Sequence, residues 1–69
     1  MLGKRKALLK FRIASKTFKK NFRPDEWRFA ITGMLFFMWT TDLIDEATYD
    51  DFYEQNRLEY EKAKEKENE

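Results

Sequence analysis

Residues 29–41, FAITGMLFFMWTT, carry no charge in a 69-residue chain of which 39% is charged. Everything before this stretch is basic and everything after it is acidic. Ten Lys/Arg against Asp25 and Glu26 give residues 1–28 a charge of +8. Four Lys/Arg against eleven Asp/Glu give residues 42–69 a charge of −7, which leaves the whole chain at +1. Halves of opposite charge around an apolar middle suit two different environments, or two helices that attract each other in one hairpin.

The uncharged stretch alone would rise about 20 Å as a helix, short of a hydrocarbon core of about 30 Å. Its flanks extend it. Pro24 is suited to the first helical position, where its missing N–H would be unpaired anyway. Asp25 and Glu26 then fall in the first turn and complement the helix dipole. Arg23, just before the proline, is biased away from helical backbone, so a bend is expected there. Carried on through Leu43 to Ile44, the helix reaches about 31 Å. Phe29, Ile31, Met34, Leu35, Phe36, Phe37, Met38 and Trp39 cover its circumference. A helix apolar all round is either a membrane span or deeply buried, and so short a chain has little protein to bury it in.

The expected fold class is therefore all-α. A single transmembrane helix over residues 24–44 is flanked by a basic amphipathic N-terminal helix (1–23) and an acidic C-terminal helix (45–69). Trp27, Arg28 and Trp39 would sit at the membrane interfaces, with the Arg28 stem snorkelling outward. Insertion would be weak. Seven Leu/Ile/Phe contribute about −3 kcal/mol, against about +2.5 to +3.5 for one charge placed mid-membrane. Such a span depends on a larger complex. Ala30, Gly33, Thr40 and Thr41 form a small-residue side on which another helix could pack.

The N-terminal arm holds nine basic residues and no acid. Ala7, Phe11, Ala14 and Phe18 recur at helical spacing, with Leu8, Ser15 and Phe22 alongside. Lys4, Arg5, Lys10, Arg12, Lys16, Lys19, Lys20 and Arg23 surround that stripe and would contact anionic phospholipid or the matrix face of a complex. The same composition suits a mitochondrial targeting segment. No sequence-reading motif supports a nucleic-acid partner. In the C-terminal arm, Thr48–Asp51 has the spacing of a capping box, which predicts a helix start near Thr48. Tyr49, Phe52, Tyr53 and Tyr60 form an aromatic stripe suited to partner docking. The last residues, EKAKEKENE, read as a solvated helix that frays or as disorder.

Composition narrows the function. The chain has no cysteine and no histidine, so it offers no thiolate ligand and lacks the commonest metal ligand and general base. Adjacent acids such as Asp50–Asp51 diverge by about 100° on a helix and read as a solvated face. No cofactor, metal or enzymatic activity is expected.

Arg28-Phe29 at the entry to the apolar helix, then Thr48-Tyr49-Asp50-Asp51-Phe52-Tyr53 leading into a charged tail, resembles small integral membrane proteins of the mitochondrial inner membrane. These act in assembly of the cytochrome bc1 complex. The likeness covers roughly residues 28–60. It implies a non-catalytic accessory subunit or assembly factor of a respiratory-chain complex, held against larger integral-membrane subunits. The positive-inside rule would then put the N-terminus in the matrix and the C-terminus in the intermembrane space. A supernumerary subunit of cytochrome oxidase or ATP synthase has a similar outline. The rival is a soluble helical adaptor that pairs its basic and acidic arms.

Overall fold

A computed structural model describes residues 3–67. Among these residues the chain is all-α, with α1 over Lys4–Asn21, α2 over Pro24–Thr40 and α3 over Glu46–Glu67. The ends of both arms, residues 1, 2, 68 and 69, lie outside the described residues.

The bend at Arg23 is present. Its extended backbone (φ −72°, ψ 159°) lets Pro24 open α2. The Glu26 carboxylate accepts a 3.0 Å hydrogen bond from the Arg23 backbone N–H, which satisfies one donor at the helix start. α1 has already ended, the Phe22 N–H bonding to the Phe18 carbonyl at 2.8 Å. With only two residues between them, α1 and α2 pack antiparallel: Ala7 and Met38 line one groove at the far end, while Lys19 lies over the Trp27 ring near the turn.

α2 stops at Thr40, four residues before the expected end. Asp42 takes up left-handed backbone (φ 62°). The Leu43 N–H bonds to the Met38 carbonyl at 2.8 Å and the Asp42 N–H to the Trp39 carbonyl at 3.1 Å, the paired bonds of a Schellman motif. Leu43 and Ile44 then turn back onto the core, where Ile44 is buried. The seventeen helical residues rise only about 25 Å. No helix among the described residues is long and apolar enough to cross a membrane, which corrects the transmembrane helix expected over residues 24–44. The apolar pair that was to lengthen it closes a turn instead.

Left-handed backbone is strained for a residue with a side chain. Asp42→Gly is expected to raise unfolding free energy by roughly 1 kcal/mol, read as a higher urea midpoint at unchanged slope.

α3 begins two residues before Thr48. The cap is Asp45, whose carboxylate accepts a 2.8 Å bond from the Thr48 N–H. Hydrogen bonds from the Thr48 side chain and backbone hold the Asp45 carboxyl below its usual range. The helix runs on to Glu67, so the charged stretch expected to fray is helical that far. α3 lies antiparallel to α2, with Trp39 against Tyr49 at one end and Arg28 over Tyr60 near the other.

α2 is the middle of the molecule. Trp27, Ile31, Leu35 and Met38, spaced four, four and three residues apart, form its buried stripe, with Ile31 and Leu35 the most completely enclosed. Ala7 and Phe11 of α1 complete the core, and Phe52, Tyr49 and Tyr60 of α3 pack on it. α1 and α3 also touch directly. The Phe11 and Phe52 rings meet edge to face at 5.1 Å, and Lys19 forms an ion pair with Glu59. The basic and acidic arms, expected on opposite sides of a membrane, therefore lie side by side.

Candidate functional site

Burying one stripe of a helix that is apolar all round leaves the other side in water. On α2 that side carries Phe29, Phe36 and Phe37, which are 79%, 54% and 62% exposed, with Gly33 and Thr40 between them. At 100° per residue these five fall within one arc, opposite the Trp27–Ile31–Leu35–Met38 stripe. At one edge of the arc, Gly33 and Phe37 also line a groove shared with α1. A β-carbon built on Gly33 would meet nothing within 4 Å. The three phenylalanines expose about 400 Å² of apolar surface, the size of patch that on small proteins commonly serves binding.

Of the expected helix-packing residues, Gly33 and Thr40 lie in this arc, while Thr41, just past the helix end, is exposed and Ala30 is half-buried. The threonines do not reach across to another helix. Thr40 Oγ1 donates to the Phe36 carbonyl at 2.9 Å and Thr41 Oγ1 to the Phe37 carbonyl at 2.7 Å, both within their own turn.

The expected membrane-interface residues are placed differently. Trp27 is in the core, 6.2 Å from the Tyr60 ring and edge-on to it. The Arg28 guanidinium stacks 4.4 Å from the Tyr60 ring centroid, so its stem turns toward α3 rather than outward. Trp39 is exposed over about a third of its surface and packs between Phe36 and Tyr49. In the aromatic stripe of α3, Tyr49, Phe52 and Tyr60 pack on this chain's own core. Tyr53 stacks on Tyr49 at 5.9 Å and is left 39% exposed, extending the line from Phe36 and Trp39 along the surface. The stripe's partner is thus largely α2, an intramolecular role.

Of the α1 cations, Lys19 alone is in an ion pair among the described residues. Burial draws it below the ordinary lysine range. Lys4, Arg5, Lys10, Arg12, Lys16, Lys20 and Arg23 are exposed. On α3, Arg57 and Lys64 are occupied by neighbouring acids. Arg57 bonds Glu54 and Glu61, and its pKa is raised, most by the Glu54 hydrogen bond, while the same bond lowers Glu54. Lys64 lies 3.3 Å from Glu67 and 3.6 Å from Asp25, and the Glu67 hydrogen bond is the main cause of its raised pKa. Tyr60 Oη donates to Asp25 at 2.6 Å, and this bond first, then Lys64 and Arg28, holds Asp25 below the usual carboxylate range. Free positive charge is concentrated on α1.

Two grooves flank α2. One, about 460 Å³, lies between α1 and α2 and is lined by apolar groups together with Lys10. The other, about 340 Å³, opens between α1 and α3, where Lys16, Gln55 and Glu59 share the lining with Phe11, Ile31 and Phe52. In its wall Ser15 and Asn56, 8% and 6% exposed, leave Oγ and Oδ1 without a partner, although Asn56 Nδ2 donates to Thr32 Oγ1 at 3.3 Å. A buried hydroxyl without a partner costs about 1–3 kcal/mol. Ser15→Ala removes that cost and favours the helix, so thermal unfolding should shift upward by an amount matching roughly 1 kcal/mol or more. No group of three or more acidic side chains among the described residues is placed to hold a metal ion.

The chain matches no family model, no curated protein and no solved structure.

Proposed function

We propose that this chain is a non-catalytic accessory module that lies on an anionic membrane surface and there contacts larger integral-membrane subunits. The single observation behind this is the outward side of α2, where Phe29, Phe36 and Phe37 stand in water beside a helix rich in unpaired cations. An apolar strip flanked by Lys/Arg is what an interfacial helix presents. The rings enter the boundary between head groups and acyl chains, and the cations meet lipid phosphates. Each Lys/Arg near an anionic leaflet adds about 1 kcal/mol, falling off within a Debye length. The acidic outer side of α3 is turned toward water. The helix that was expected to cross the membrane lies along it.

The resemblance at Thr48–Tyr53 carries the rest of this reading, in which the membrane is the mitochondrial inner membrane. The chain then serves as an accessory subunit or assembly factor of a respiratory-chain complex, with the cytochrome bc1 complex first. Tyr53, exposed at the end of the line from Phe36 through Trp39 and Tyr49, would meet the neighbouring subunit.

Co-sedimentation with lipid vesicles tests the membrane contact. Binding is expected with phosphatidylglycerol or cardiolipin vesicles and should weaken steeply from 50 to 500 mM salt. Failure to sediment with anionic vesicles at low salt would sink the proposal. Native purification of the tagged chain from mitochondria, with mass spectrometry of what co-migrates, tests the complex. Absence of respiratory-chain subunits would remove that assignment and leave the lipid contact standing.

A further inference from the structure

We propose that the groove between α1 and α2 takes one acyl chain of an anionic phospholipid, whose head group is held at Lys10. This rests on the membrane-surface reading above. The walls are apolar on both sides, with Ala7, Ala14 and Phe11 on α1 facing Met34, Phe37 and Met38 on α2. The channel exists because its lining includes two alanines and Gly33, where larger side chains would close it; a β-carbon at Gly33 would still meet open space. Leu43, folded back by the turn after α2, lines the same groove. It is an open groove of about 460 Å³, which suits a chain laid along it with one side toward the membrane.

Charge selects the occupant. Lys10 contributes the one charged side chain to the lining, and it is exposed and, unlike Lys19 of the same helix, is in no ion pair among the described residues. An apolar channel with a cation at its edge suits a chain bearing an anionic head better than an uncharged apolar side chain. Continuity favours a membrane lipid over a free fatty acid, because Phe37 belongs both to the groove and to the exposed side of α2. A lipid in the leaflet on which α2 rests could lift one chain into the groove without leaving the membrane.

Gly33→Leu separates this from simple adhesion. Leucine is the better helix former and the site has room, so the variant should fold, which circular dichroism checks. Leucine also adds apolar surface, so adhesion through the outer face of α2 alone predicts tighter vesicle binding. Occupation of the groove predicts the opposite, at least ten-fold weaker binding to phosphatidylglycerol vesicles. In wild-type protein on phosphatidylglycerol bicelles, nuclear Overhauser contacts should connect acyl methylenes with the Ala7 and Ala14 methyls and the Gly33 α-protons. Lys10→Gln should reduce the preference for anionic over zwitterionic vesicles. Unchanged or tighter binding of Gly33→Leu, or absence of those methylene contacts, overturns the groove while leaving the membrane-surface reading intact. Absence of vesicle binding by the wild-type chain overturns both. Saturable binding of monomeric oleate by a chain that ignores vesicles overturns the phospholipid source.

Discussion

Leu35→Ala is expected to leave the chain largely unfolded near physiological temperature. Leu35 is fully enclosed at the centre of α2, the middle helix of the three. Truncating such a leucine costs about 3–5 kcal/mol, because the cavity collapses only in part. A domain of this size has roughly 3–10 kcal/mol of stability in total. The core is small: besides Leu35, the buried hydrophobic residues among those described are Ala7, Phe11, Trp27, Ile31, Met38 and Ile44. Urea titration followed by helical circular dichroism should show a collapse of the midpoint. A midpoint unchanged from wild type would mean that the α2 stripe is not the core.

Phe29→Gln combined with Phe36→Gln should abolish most membrane binding while leaving the fold intact. Both rings stand mainly in water, and Phe36 makes one edge-on contact, 6.1 Å from Trp39. Glutamine is a good helix former, so α2 should persist. Each phenylalanine wholly removed from water is worth about 1.5–3 kcal/mol, so losing two partly inserted rings should weaken vesicle binding roughly 100-fold. Neither residue lines the α1–α2 groove. A double variant that still sediments like wild type would show that another surface makes the contact.

The helical content was legible from the chain, and so were some joints. Pro24 opened α2 as its ring chemistry requires, and the Ala7–Phe11 spacing marked the buried side of α1. The end of α2 was not legible. Schellman turns usually carry glycine at the left-handed position, and here Asp42 occupies it, so residues 41–44 read as a continuing helix. The start of α3 was misplaced for a related reason. Asp45 and Thr48 are one cap, yet Thr48 and Asp51 have the same spacing.

The expected site divides along similar lines. The stripe Tyr49, Phe52 and Tyr60 was visible as a surface that wants a partner, but nothing local says that the partner is α2 of the same chain. Trp27 looks like an interfacial anchor by position alone; its burial follows from Tyr60, thirty-three residues away, meeting it edge-on. Phe29, Phe36 and Phe37 could not be told from Ile31, Leu35 and Met38 by hydrophobicity, because all are apolar.

Sequence by itself determined that residues 29–41 form a helix with more apolar surface than this chain can cover, and that charge of opposite sign stands on either side of it. Local chemistry suffices for both, since helix propensity and charge do not depend on distant residues. Tertiary structure alone decided which side of α2 is covered. That choice depends on where the chain turns after Thr40 and on α1 and α3 being drawn together through Phe11–Phe52 and Lys19–Glu59, contacts between residues about forty positions apart.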